Sequence, residues 1–209
     1  MINTKYSSPF FSSVKFFCII CILSYSIFSH AQNWNEVIKS VAADREAGDW
    51  FGYDVAMSGD YAIVGALYED EDTNGTSYKS SAGSAYIFKL SAGVWVQQQK
   101  LVATDRRWGD RFGNSVAIDG DYAIVGATRT DYDASGLNFI GNGGAAYVFK
   151  RTAGVWSQQQ KIVASDRQAS DEFGNSVSIS GEYAIVGATD EDHDAIGDST
   201  LASAGSAYI

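Results

Sequence analysis

Short apolar runs separated by clusters of Gly, Asp and Ser set the pattern of this chain. Residues 115–118 (Ser-Val-Ala-Ile) and 122–125 (Tyr-Ala-Ile-Val) are rich in β-branched and aromatic side chains and too short for helices. Asp119-Gly120 between them predicts a two-residue hairpin turn, because both residue types tolerate positive φ; Ser58-Gly59 and Ser180-Gly181 replace it elsewhere. A longer polar loop follows Gly126-Ala127. Residues 145–150 predict a third strand, Thr152-Ala153-Gly154 a turn, and residues 155–163 a fourth strand. The fourth is the most polar, with Gln158, Gln159, Gln160 and Lys161 in a row. No segment sustains a helical period.

The pattern repeats. Phe51-Gly52, Phe112-Gly113 and Phe173-Gly174 are each 61 positions apart, as are Gly65-Ala66, Gly126-Ala127 and Gly187-Ala188. Tyr86, Tyr147 and Tyr208 keep the same spacing, and so do Trp34, Trp95 and Trp156. A fixed period without insertion marks a repeat architecture. Four short antiparallel strands per repeat describe an all-β fold built from β-propeller blades, the polar fourth strand lying outermost, where Lys and Gln discourage edge pairing. A β-solenoid fits less well, since it needs no hairpin between consecutive strands. The boundaries read as 42–102 for a first blade, 103–163 for a second and 164–209 for a truncated third. Residues 32–41 match an isolated fourth strand of the ring-closing kind. Two complete copies and a partial third predict an incomplete ring and a fragment, because propellers close with about 4 to 8 blades.

These landmarks resemble the FG-GAP repeat, the blade unit of integrin α-subunit propellers, and more closely the FG-GAP repeats of secreted bacterial proteins. Phe-Gly supplies FG in each copy. Val64-Gly65-Ala66, Val125-Gly126-Ala127 and Val186-Gly187-Ala188 supply the GAP end, and residues 83–88 and 144–149 the following G-x-x-Y-x-F strand. The resemblance implies a propeller used as an extracellular surface for adhesion or ligand recognition. Leu67, Thr128 and Thr189 stand where GAP has proline. The interval that carries the integrin-type calcium loop is pinched to a turn here, so those positions inherit no metal role.

Residues 1–31 differ from the rest. Lys5 and Lys15 precede a largely apolar run at 16–28, and Ser29-His30-Ala31 offers small residues for cleavage. This predicts a secretory signal peptide and a secreted or cell-surface protein, with no transmembrane segment in the mature chain. Removal takes both cysteines, so no disulfide is expected despite an oxidising destination. It also lowers the 15 basic residues to 13 against 25 acidic, a net charge of −12. That balance disfavours nucleic acid and anionic membranes. The expected partner is an extracellular protein or carbohydrate.

Catalysis finds little support. His193 is the one histidine beyond the leader, which excludes Cys-His and multi-His sites. Carboxylate pairs recur in every copy, which suits structure or binding better than a singular catalytic centre. No enzyme is expected; a non-catalytic scaffold within a larger secreted protein is the alternative, and a carbohydrate-active propeller a more remote one. Asp44-Arg45, Asp105-Arg106 and Asp166-Arg167 precede FG in each copy and are followed by Asp49, Asp110 and Asp171. Their recurrence favours bridges between blades over ligand contacts. Trp50 and Trp108 occupy variable positions and read either as binding aromatics or as local packing.

The loop after each Gly-Ala carries the candidate metal ligands. Asp70, Asp72 and Asn74 precede Gly75; Asp131, Asp133 and Ser135 precede Gly136; Asp192 and Asp194 precede Ile196-Gly197. Alternating oxygen ligands before a glycine are how a short loop wraps calcium. Ser81, Asn142 and Ser203 occupy the position of a bidentate Glu, so the expected affinity is weak, on the order of 10⁻⁴ to 10⁻³ M. The same loops read equally as acidic, solvated surface.

Overall fold

The computed structural model describes residues 38–193 and 201–209, and among them it is all β. The first sheet comprises β1 (Val55–Ser58), β2 (Tyr61–Ala66), β3 (Ser84–Ser91) and β4 (Val94–Leu101) in sequence order. The second repeats it with β5 (Phe112–Asp119), β6 (Tyr122–Ala127), β7 (Ala145–Thr152) and β8 (Val155–Ile162). The third holds β9 (Phe173–Ser180), β10 (Tyr183–Ala188) and β11 (Ser206–Tyr208). All neighbouring strands are antiparallel. The three blades do not close into a ring. Residues 1–37, with the leader and Trp34, lie outside the described residues, and residues 38–41 form no strand.

The turns differ in detail from the sequence expectation. Asp119 pairs with Tyr122, so the two turn residues are Gly120 and Asp121, and positive φ falls on the glycine alone. That is the turn with glycine first, which suits the twist of a hairpin as well as Asp-Gly does. The second hairpin carries positive φ at both central residues, Ala153 (51°) and Gly154 (84°).

Blades stack through bare backbone. A Cβ at Gly65 would lie 2.0 Å from the Gly113 carbonyl oxygen of the next blade, and one at Gly126 2.0 Å from that of Gly174. Gly83 and Gly144 meet the carbonyl oxygens of Phe112 and Phe173 in the same way, through parallel bridges. FG of one blade therefore seats on GA of the preceding one, and no side chain fits between them. Around this contact lie two apolar layers. Ile63, Ala85 and Ile87 of the first blade face Val116, Ile118 and Val125 of the second; Ile124 and Ala146 of the second face Phe173, Val177 and Val186 of the third.

The fourth strand departs from expectation. Lys100 is only 7 % exposed, so it does not guard an edge. Gln99 accepts the Trp156 N–H through Oε1 (3.0 Å) and donates to the Trp156 carbonyl through Nε2 (2.7 Å), tying β4 to β8. A glutamine on an outer strand can reach the adjacent blade as readily as solvent, which the strand pattern alone does not reveal.

Candidate functional site

Antiparallel pairing brings the loop after the second strand and the connection entering the first strand to one end of each blade. The acidic loops lie there. Asp70 Oδ1 accepts the Ser81 N–H (2.6 Å), Asp131 Oδ1 that of Asn142 (2.8 Å) and Asp192 Oδ1 that of Ser203 (2.6 Å). Ser81, Asn142 and Ser203 all have φ near 50°. The first aspartate of each loop thus fixes a strained residue just before the third strand. Asp72 Oδ1 accepts the N–H groups of Asn74 (3.0 Å) and Thr76 (2.9 Å). Asp133 accepts the Ser135 hydroxyl (2.6 Å), the Leu137 N–H and the Asn138 amide. Thr76 N–H, foremost for Asp72, and the Ser135 hydroxyl, foremost for Asp133, hold these two carboxyls below the usual range. Asp194 lies outside the described residues. Among the described residues no three His, Cys, Asp or Glu side chains gather as a metal would require.

A guanidinium occupies the space beneath the loop. Arg106, 6 % exposed, donates through Nη1 to the Ser77 carbonyl (2.8 Å) and through Nη2 to that of Asp70 (2.9 Å). Arg167, 8 % exposed, donates to the Thr130 carbonyl (3.1 Å) of the preceding blade. Burial lowers the pKa of Arg106, against the opposing fields of Asp72, Glu69, Asp110 and Asp70. Arg106 and Arg167 therefore reach back into the loop of the blade before them, as bridges between blades, whereas Arg45 is exposed.

The aspartate of the same pair has a separate partner. Lys100 Nζ lies 2.8 Å from Asp44 and 3.1 Å from Glu69, and Lys161 Nζ lies 2.7 Å from Asp105. The Tyr86 hydroxyl donates to Glu69 (2.9 Å) and that of Tyr147 to Asp105 (3.0 Å). These buried lysine clusters escape a reading of the sequence by motif; the 61-residue spacing shared by Lys39, Lys100 and Lys161 is the signal that could have found them. The second aspartate of each connection is a staple: Asp110 Oδ2 accepts the Arg107 N–H (2.6 Å), as Asp49 and Asp171 accept those of Glu46 and Gln168. Burial pushes the Asp110 carboxyl up to about 7.

Above this framework lies a row of exposed aromatics. Trp50 and Trp108 are 58 % and 66 % exposed, Tyr78 and Phe139 58 % and 63 %. Trp50 meets Tyr68 edge-on at 4.8 Å, Trp108 meets Tyr78 at 5.8 Å, and Tyr132 meets Phe139 at 5.4 Å. Arg107 stacks over Tyr132 at 3.9 Å, a cation–π contact. Trp50 contacts the exposed Tyr53 and the half-buried Tyr68, Trp108 contacts the exposed Tyr78, and neither tryptophan joins an apolar core layer.

Comparison with protein families matches the FG-GAP repeat three times, at residues 34–88, 95–149 and 156–209. The chain belongs to the FG-GAP repeat family. The matched units begin at Trp34, Trp95 and Trp156, and the second and third of them run from the fourth strand of one blade, β4 or β8, into three strands of the next. Comparison with curated proteins gives no significant match. Among the described residues His193 of this FG-GAP chain sits beside Glu191 (3.5 Å) and the Gln168 side chain.

Proposed function

We propose that this FG-GAP chain is an exported, non-catalytic recognition module that binds an extracellular protein or carbohydrate through its aromatic loop end. The observation that carries this reading is the row of Trp50, Tyr78, Trp108 and Phe139, exposed together at the end where acidic loops and blade connections meet. Exposed aromatic clusters of this kind are costly in water and characteristic of binding surfaces. The charged start, apolar run and small residues of 1–31 support export. The acidic loops are ordered by their own N–H groups and by a buried arginine. This favours the arginine over weakly held calcium as their resident cation.

The test is capture of the protein on arrays of immobilised polysaccharides and extracellular matrix proteins, repeated with Trp50→Ala plus Trp108→Ala. The expected result is a ligand whose retention falls at least about tenfold in the double variant, as for aromatic hot spots, with the melting curve unchanged. Equal retention by both proteins would place recognition elsewhere on the surface.

A further inference from the structure

One blade connection differs in charge from its two counterparts. Arg107, Trp108 and Arg111 lie on the connection between the first and second blades, and Arg129 stands at the start of the second blade's acidic loop. One 61-residue period earlier the same four positions hold Glu46, Ala47, Trp50 and Tyr68. One period later they hold Gln168, Ala169, Glu172 and Asp190. The repeat itself does not require the arginines, since the second and third blades stack through the same glycine contacts without them. The connection lies between the first and second blades, with the third packed beyond, so its surroundings are set by residues 38–193.

Folding brings these four residues to one surface. The Asp110 carbonyl accepts the Arg129 N–H (3.2 Å), while its carboxyl accepts the Arg107 N–H and closes the tight turn that carries Trp108. Arg107 and Arg129 are exposed, and Arg111 is half-buried. Arg107 lies over the Tyr132 ring at 3.9 Å and Arg111 over that of Tyr68 at 5.2 Å. Among the described residues none of the three arginines forms an ion pair. The neighbouring acids are engaged elsewhere: Asp131 accepts the Asn142 N–H, Asp133 the Ser135 hydroxyl, and Asp105 pairs with Lys161. Three guanidinium groups thus keep donors for an outside acceptor, beside the exposed pair of Trp108 and Tyr78.

A guanidinium presents a planar fork that matches a carboxylate or a sulfate bidentately. An aromatic face, negative in its π cloud, receives the C–H face of a sugar ring. The loops on either side carry Asp70, Asp72, Asp131 and Asp133, so a densely charged anion such as a nucleic acid would meet repulsion on leaving the arginines. A polymer whose anionic groups are separated by neutral C–H faces avoids that cost. We propose that the loop end binds an acidic polysaccharide in which charged sugars alternate with neutral ones. Its anionic groups pair with Arg107, Arg111 and Arg129, and a sugar ring packs on Trp108 and Tyr78. This rests on the reading of the loop end as the recognition surface, and it narrows the ligand of that surface to one chemical class.

The experiment is affinity electrophoresis of the full chain through gels holding unsulfated chondroitin, chondroitin sulfate or methyl-esterified chondroitin, with polyglutamate and single-stranded DNA as further probes. Retention is expected on the first two, falling as salt rises, and is expected to vanish on the neutral ester. The ratio of the first two tells carboxylate from sulfate as the preferred group. Arg107→Gln with Arg129→Gln should weaken retention at least about tenfold, as for loss of charge-assisted hydrogen bonds, with the melting curve unchanged. Lys89→Gln with Lys150→Gln removes the same charge from the opposite end of the blades and should leave retention intact. Equal losses from both pairs would mean attraction by net charge alone and would overturn the proposal. So would absence of retention on either acidic form, or stronger retention on polyglutamate or DNA. Undiminished retention on the ester that Trp108→Ala abolishes would overturn the acidic class while leaving the aromatic recognition surface standing.

Discussion

Asp110 shows how one buried carboxyl organises a blade connection and what that costs. It accepts the Arg107 N–H in a site 3 % exposed, and burial raises its pKa from 3.8 to about 7. The folded state therefore holds this proton more tightly than the unfolded chain does. The resulting stability is full below pH 4 and is lost as pH rises from about 4 to about 7. Each pH unit of that interval removes about 1.4 kcal/mol, on the order of a few kcal/mol in all. Asp110→Asn keeps an oxygen for the Arg107 N–H and cannot ionise. Thermal melting from pH 4 to 8 is expected to show a decline in the parent that is shallower in the variant. Parallel curves would mean that Asp110 does not titrate in that window. Arg106 is the other residue with a defined charge role. Arg106→Met leaves the carbonyls of Asp70 and Ser77 without their donor and removes a cation from among four acids, so a loss of about 3 to 5 kcal/mol is expected. Melting with calcium and with chelator then separates the two readings of the loop. The parent should be insensitive, and the variant should recover stability with calcium; a larger calcium shift in the parent would restore metal to these loops.

At the scale of elements, the strands were legible because their determinants are local. The β-branched runs, the polar fourth strand and the glycine turns place the four strands of the second blade, and the period carries them by register to the first and third. β1 is shorter at its start than β5 and β9, which the repeat does not forecast. Phe112 and Phe173 begin their strands through a bridge to the blade before, and Phe51 has no such neighbour among the described residues. The acidic loops were legible as loops, and their aspartates as candidate oxygen ligands or solvated surface. What sequence could not weigh was competition for those oxygens. Asp72 and Asp133 are engaged by N–H groups two to five residues away, and the carbonyls by an arginine 29 to 36 residues away. Spacing identifies a ligand set, but only three-dimensional placement shows what already occupies it. For the same reason sequence alone does not divide the exposed tryptophans between packing and binding. The structure adds that both are exposed and lie outside the apolar core layers.

For the whole molecule, the blade interface is the organising contact, and the Phe-Gly and Gly-Ala pairs owe their recurrence to it. Glycine is needed at these positions because the backbone of one blade lies against the backbone of the next, with apolar layers on either side. The lysine clusters and arginine bridges follow from that approach, since each joins a connection of one blade to a loop or strand beside it. The most direct measurement is equilibrium unfolding of Gly65→Ala and Gly126→Ala against the parent. Both glycines lack positive φ, so the added methyl tests space and not backbone conformation, and the obstacle in each case is an immovable carbonyl of the next blade. A loss of about 3 kcal/mol or more is expected for each, at the upper end of overpacking costs. Variants within about 0.5 kcal/mol of the parent, the range of ordinary surface substitutions, would contradict backbone-to-backbone stacking of the blades.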